Sequence, residues 1–215
     1  MASTLRLLLA SSSPRRAEIL GTLGIPFDVS AADVDESLLP GESGREAAVR
    51  LARAKAAAAA ALHPGTWVLA ADTLVLIDGA ILGKPRDDAE AAAMLRQLAG
   101  REHVVVTAVS LLKDGGPEIA TVEESRVRIA PLDEEEIRWY VATGEPRDKA
   151  GAYAVQGLGA RFVESVDGSF SNVMGLPARS VYRLLRQAPD PALARLALAS
   201  EGPSSRTSAR PPRPA

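Results

Sequence analysis

Residues 5–24 read LRLLLASSSPRRAEILGTLG, and the pattern of apolar positions changes halfway along. Leu5 to Ala10 is a short apolar run closed by three serines, as in a buried strand that empties into a loop. From Arg15 to Leu23 the apolar residues Ala17, Ile19, Leu20 and Leu23 recur at helical spacing. Ser13 and Pro14 stand where an N-cap and a first helical residue belong, and Gly24 is placed to stop the helix. The order strand, loop, helix predicts a unit of an α/β fold.

Working outward, a second helix is expected from about Arg45 through the alanine tract Ala56 to Ala61, ended by His63-Pro64-Gly65. Thr66 to Ala71 reads as another buried strand that runs into Asp72-Thr73, with a further apolar run from Leu74 to Ile77. Asp78-Gly79 is a strong hairpin signal, so the chain returns through Ala80 to Leu82 and brings Lys84, in Gly83-Lys84-Pro85, toward Asp72. Asp87-Asp88 opens a helix to Leu98. His103 to Leu112 and Glu118 to Ile129 form a long hairpin. The acidic run Asp133 to Glu136 begins a helix stopped by Gly144, and a last helix follows Pro177. Trp67, Trp139, Tyr140, Val181, Leu184 and Leu185 are expected in the core or an interface. From about Pro189 the chain turns to Pro, Ser, Ala and Arg, which predicts a folded domain over 1–188 and a disordered tail over 189–215.

Composition narrows the function. With 215 residues, 25 Lys+Arg against 27 Asp+Glu and 4% aromatics, there is neither the net positive field nor the basic-aromatic interleaving of a nucleic-acid binder. No run approaches the roughly 18 apolar residues of a spanning helix, so no membrane partner is expected. The absence of cysteine rules out disulfides, thiolate metal sites and a Cys nucleophile, and suits a reducing cytoplasm. Gly157 and Gly159 do not form a dinucleotide fingerprint, because no helix-opening pattern follows them.

The chemistry concentrates in a few places. Ser13-Pro14-Arg15-Arg16 puts two guanidinium groups in a first helical turn, where each opposes the helix dipole by roughly 0.3–1 kcal/mol. An anion held by hydroxyls, helix amides and guanidinium forks would compensate, and so would a surface salt-bridge cluster. Asp72 interrupts apolar sequence; a buried carboxylate there must be paired, hydrogen-bonded or metal-bound, whereas a turn-capping aspartate would be unremarked. Lys84, the pair Asp35-Glu36 and Lys55, on the polar side of the second helix, are ordinary solvated residues taken one at a time.

Together with Arg53-Ala54-Lys55-Ala56, Ala71-Asp72-Thr73, Gly83-Lys84-Pro85, Lys149-Ala150-Gly151-Ala152-Tyr153, Gln156-Gly157 and Asn172-Val173-Met174-Gly175-Leu176-Pro177, these segments resemble the Maf family of nucleoside triphosphate pyrophosphatases over about residues 5–187. The resemblance implies a mixed, twisted α/β sheet with two lobes around a cleft, related to the inosine triphosphatase type. It implies hydrolysis between the α and β phosphates of a nucleoside triphosphate, with Mg²⁺ or Mn²⁺, in a homodimer. By match to the family motifs, Asp72 activates water, Glu36, Lys55 and Lys84 fall on catalytic positions, and Ser13, Arg15 and Arg16 bind phosphate. Asp72 and Glu36 are hard oxygen donors suited to the cation, so Asp72 serves as base, as ligand, or as both.

Arg15, Thr73 and Gln156 are similar to the branch acting on dTTP and UTP, in a house-cleaning role; the branch acting on 7-methyl-GTP carries tryptophan and glutamine at the first two positions. The Gln156 amide offers both a donor and an acceptor to a pyrimidine edge. A 7-methyl-GTP pyrophosphatase and a non-catalytic, nucleotide-binding regulator of cell division are the alternatives.

Overall fold

The computed structural model describes residues 7–31 and 33–198, so Leu5 and Arg6 lie outside the described residues. The strands are β1 (Leu7–Leu9), β2 (Phe27–Val29), β3 (Trp67–Ile77), β4 (Ala80–Leu82), β5 (Glu102–Lys113), β6 (Ile119–Ile129) and β7 (Val163–Asp167). The helices are α1 (Pro14–Thr22), α2 (Gly44–Leu62), α3 (Asp88–Leu98), α4 (Glu134–Ala142), α5 (Phe170–Met174), α6 (Ala178–Gln187) and α7 (Pro191–Leu196). The sheet runs β2-β1-β3-β5-β6-β7, parallel among β2, β1 and β3 and antiparallel thereafter, so the expected mixed α/β architecture is met.

Local chemistry explains the boundaries. Ser43 and Glu46 close a capping box on α2, Asp133 and Glu136 another on α4, and the Asp87 carboxylate accepts from the Glu90 amide at the start of α3. Ile77 pairs with Ala80, so Asp78 and Gly79 are the whole turn; both have positive φ, 50° and 79°, the geometry that matches the twist of two antiparallel strands.

Asp72 does not interrupt its strand. Trp67 to Ile77 is one β-strand, paired with β5 from Trp67↔Lys113 to Leu76↔Val104. Side chains alternate across it. On one face Trp67, Leu69 and Ala71 join a cluster under α1, α6 and α7, while Val75 and Ile77 join a second under α3 and α4. Between these clusters lie Thr73 and, directly opposite on β5, Thr107. On the other face Val68 and Ala70 meet Ala56, Ala59 and Ala60 of α2, and Leu74 meets Ala47, Ala48 and Ala52. Asp72 lies between those two clusters. Residues 72 and 73 thus divide the apolar packing on both faces, which is the physical content of two lobes.

The second edge of β3 is also divided. Its Val68 and Leu69 pair with β1 and its Val75 to Ile77 with β4, leaving residues 70–74 without a strand partner on that edge. β1 ends there with its carboxyl end toward the gap, the kind of crevice in which open α/β sheets bind ligands.

Trp67 and Tyr140 are buried as expected, and Trp139 is 41% exposed with its ring covered by the Arg161 guanidinium, 4.1 Å from the centroid. Two expectations need correction. Lys55 is buried against the sheet and not on the polar side of α2. The helix after Pro177 is not the last: residues expected in the tail form α7, whose Leu193 and Leu196 are buried in the cluster under α1 and α6. Asp190 caps α7 and accepts a 2.9 Å bond from Trp67 Nε1. Two leucines among alanines suffice to form a helix when a core is already there to receive them; the remainder of the expected tail, 199–215, lies outside the described residues. A chain ending at Pro189 loses both leucines and the Trp67 bond. Its unfolding free energy is expected to drop by about 2 kcal/mol or more, about 4–8 °C in thermal denaturation; an unchanged melting temperature would show that α7 adds nothing.

Candidate active site

A cleft of about 520 Å³ opens over the strand gap, within the usual size for a small-molecule site. Its walls are the loop after β1 with the first turn of α1, Lys55 and Glu36, the strand residues Asp72 to Val75, the hairpin end at Lys84, and the segment from Asp148 to Gln156. Ser13, Arg15, Arg16, Glu36, Lys55, Asp72, Thr73, Lys84 and Gln156, separated by up to 143 positions in sequence, therefore line one cavity.

At its floor, Lys55 Nζ lies 2.6 Å from Asp72 Oδ1 and 2.6 Å from Glu36 Oε1. The Lys55 and Asp72 side chains are about nine-tenths buried and Glu36 is half exposed, so the ammonium bridges a dry carboxylate and a wet one. Burial pushes the Asp72 carboxyl above the ordinary aspartate range, against the pull of Lys55 and Arg16. Burial pushes Glu36 the same way, but its hydrogen bond to Lys55 and the positive charges of Lys55, Lys84 and Arg16 outweigh it, and Glu36 is held low. The two carboxylates are therefore tuned apart. Asp72 Oδ2 is buried with no protein hydrogen-bond partner.

Arg16 organises the opposite side. Its Nε donates to the Gly175 carbonyl at 2.9 Å, Nη1 to Ser11 Oγ at 3.1 Å and Nη2 to Thr73 Oγ1 at 3.2 Å. Thr73 Oγ1 also meets Thr107 Oγ1 at 3.0 Å, and Thr107 Oγ1 donates to the Asn172 carbonyl. The Thr73 hydroxyl is thus engaged in holding Arg16 across the strand. Arg15 finds its anion in Asp148, at 2.9 Å. Ser13 occupies the N-cap position of α1 without its hydroxyl bonding a first-turn amide, and the turn lines the cleft. Lys84 makes no hydrogen bond or ion pair among the described residues and is exposed at the rim.

Asp148, Thr107 and Gly175 were not singled out for such roles. Asp148 is 133 positions from Arg15, and nothing in its local sequence points there. Thr107 could have been found from the strand pairing, since it stands opposite Thr73. His103, buried behind the cleft wall with its Nε2 2.8 Å from the Tyr153 hydroxyl, is pushed down to about 4 by burial and stays neutral near pH 7.

A family model described as Maf-like protein matches residues 6–188. A dTTP/UTP pyrophosphatase of Symbiobacterium thermophilum is 50% identical over 182 residues, 85% of this chain and 93% of that protein. One of Anaeromyxobacter dehalogenans (strain 2CP-C) is 52% identical over 186 residues, 85% of this chain and 94% of that protein. Among solved structures, a HAM1 protein from Coxiella burnetii aligns over 90% of this chain and 97% of its own, with TM-score 0.45 and 18% identity. No helix among the described residues is long and apolar enough to cross a membrane.

Lys55→Met leaves Asp72 buried without its counter-charge and drives its carboxyl further up. A raised carboxyl pKa costs no stability while the group is protonated and the full penalty once pH exceeds the folded value. The deficit against the parent protein, followed by urea unfolding, is expected to reach about 3–5 kcal/mol at pH 8 and to shrink toward pH 4; a deficit independent of pH would show that the pair is not electrostatically coupled.

Proposed function

The chain belongs to the Maf family, and we propose that it is a nucleoside triphosphate pyrophosphatase that hydrolyses dTTP and UTP to the monophosphate and pyrophosphate. The observation that carries the reading is the buried Asp72 carboxylate, with one oxygen unpartnered, facing a cleft ringed by Arg15, Arg16, Lys55 and Lys84. Relatives at about half identity named for this activity support it.

Phosphoanhydride hydrolysis asks for charge neutralisation, an aligned water and a stabilised leaving group. A water oxygen bonds to one phosphorus of the α–β bridge, the bridging oxygen departs with the other, and Asp72 takes the proton the water loses. A carboxylate raised by burial is a better proton acceptor than a solvated one. Arg16, fixed by Gly175, Ser11 and Thr73, and Arg15, at the mouth of α1, bind the phosphates with the helix N-terminus. Lys84 has the reach and freedom to follow the leaving pyrophosphate. Lys55 keeps Asp72 and Glu36 oriented.

Asp72 Oδ2 and the Glu36 carboxylate fit a hard divalent cation such as Mg²⁺ or Mn²⁺, which would supply further charge neutralisation on the triphosphate. Among the described residues no group of three or more ligating side chains comes together, so two carboxylates and substrate oxygens would form the coordination sphere. Gln156 is exposed on the far wall of the cleft, which supports its reading as the residue that meets the base. The reading places the enzyme in the cytoplasm, acting on nucleotides that should not enter nucleic acid.

Pyrophosphate release from dTTP and UTP is expected to exceed that from ATP, CTP and 7-methyl-GTP by at least about tenfold in kcat/KM; a preference for 7-methyl-GTP would reassign the branch, and binding without turnover would favour the regulator. Asp72→Asn, similar in volume, should lower kcat by about 10²–10⁴ with the fold intact by circular dichroism. The acid limb of the kcat/KM profile should lie above the ordinary aspartate value of about 4, because burial raises Asp72.

A further inference from the structure

The far wall of the cleft is an irregular segment, 144–162, with short 3-10 helices at Glu145–Asp148, Ala150–Ala152 and Leu158–Phe162, and it carries Asp148, Lys149 and Gln156 to the site. Such a wall needs something to hold it, and one side chain does most of this. Glu145 Oε2 accepts from the Leu158 amide at 2.9 Å, and its Oε1 accepts from the Gly159 amide at 3.0 Å and from the Tyr140 hydroxyl at 2.7 Å. The same Tyr140 oxygen accepts from the Ala154 amide at 3.0 Å. The Glu145 carbonyl meanwhile receives Lys149 Nζ at 2.7 Å.

Gln156 sits in the turn between the two tied points. Residues 154–157 form a reverse turn, closed by the Gly157 amide on the Ala154 carbonyl, with Ala154 fixed to Tyr140 and Leu158 and Gly159 fixed to Glu145. Close approach is built into the sequence: a Cβ at Gly157 would run into the Glu145 carboxylate, and one at Gly159 into the Tyr140 hydroxyl. Tyr140 is itself fully buried in the cluster under α4, so the anchor is rigid. Burial would push Glu145 up, but the two amides, the phenol and Lys149 together hold it low, so it stays a carboxylate with both oxygens accepting.

We propose that Glu145 is a specificity-positioning residue, a carboxylate that touches no substrate and fixes the 154–159 turn so that Gln156 meets the nucleobase at one distance and angle. The inference rests on the reading of Gln156 as the base-facing group. Loss of the anchor should blur selection among bases while leaving phosphate chemistry, on the opposite wall, in place.

The test compares Glu145→Ala, Glu145→Gln and Gln156→Ala with the parent enzyme. In Glu145→Gln the side-chain amide keeps the volume but sets a donor against a backbone N–H, so this variant serves if the alanine variant does not fold. KM and kcat are measured for dTTP and CTP, with hydrogen exchange at the Leu158 and Gly159 amides. Each Glu145 variant is expected to raise KM for dTTP about tenfold, to bring the dTTP:CTP ratio close to that of Gln156→Ala, and to leave kcat on CTP within about twofold. Exchange at the two amides should accelerate at least tenfold. Added to Gln156→Ala, the Glu145 change should shift selectivity no further, as expected of residues acting through one contact. If Gln156→Ala loses selectivity while both Glu145 variants keep it, the positioning role is wrong. A fall in kcat on both nucleotides with the dTTP:CTP ratio unchanged also overturns it. If Gln156→Ala itself leaves selectivity unchanged, the reading of Gln156 fails first and takes this inference with it.

Discussion

A polar belt one rung deep crosses the sheet at residues 72 and 73, and both faces of the protein are arranged around it. Hydrophobic burial is the main force holding such a sheet to its helices, and a carboxylate in the middle of it is tolerated only with a partner in place. Lys55 is that partner. It occurs on α2 between Ala52 and Ala56, the members of the two clusters that Asp72 separates. On the opposite face Thr73 and Thr107 play the matching part, satisfied by Arg16 and the Asn172 carbonyl. Removing the belt would let each pair of clusters merge into one, so the fold carries a standing energetic cost at this rung in order to have a polar floor there.

The belt also sorts the charges. Most ion pairs here are exposed, such as Arg96 with Glu134 and Arg147 with Asp88, and pairs of that kind contribute about 0–1 kcal/mol each. The bridge of Lys55 to Asp72 differs because the dielectric around it is low and one of its carboxylate oxygens is left over. Its neighbour Glu36 stays half in water. A single ammonium thereby bridges two carboxylates that burial sets apart, one raised above its ordinary range and the other held low.

Much of the fold is legible in the sequence because the signals are local. The helices expected from about Arg45 and from Asp133 begin at Gly44 and Glu134, Asp78-Gly79 turns the hairpin, and the long strands 102–113 and 119–129 follow their apolar patterns. The elements that escaped are short and borrow their stability: Phe27–Val29 and Val163–Asp167 pair at the two sheet edges, and Phe170–Met174 and Pro191–Leu196 are single turns or little more. In the site, Asp72 stood out as a charge within apolar sequence. Lys55 did not: its neighbours are alanines, and no periodicity tells a buried lysine on such a helix from a solvated one. Glu145 and Asp148 could not have been found, since each acts on residues brought near only by the closed fold.

The alanines of α2 have a bearing on the chemistry that their side chains alone would not suggest. The helix meets the sheet through methyl groups on both sides of Lys55, against Leu8, Val68 and Ala70 on one hand and Leu74, Val106 and Ala108 on the other. These methyls act as shims: they set the height at which a side chain of fixed length must span from helix to strand. A larger residue at Ala52 or Ala56 would lift the whole helix, and the ammonium would no longer reach its carboxylate. Inactivating changes should therefore collect along a helix face that no nucleotide could touch, where the machine's tolerances are kept by its least reactive parts.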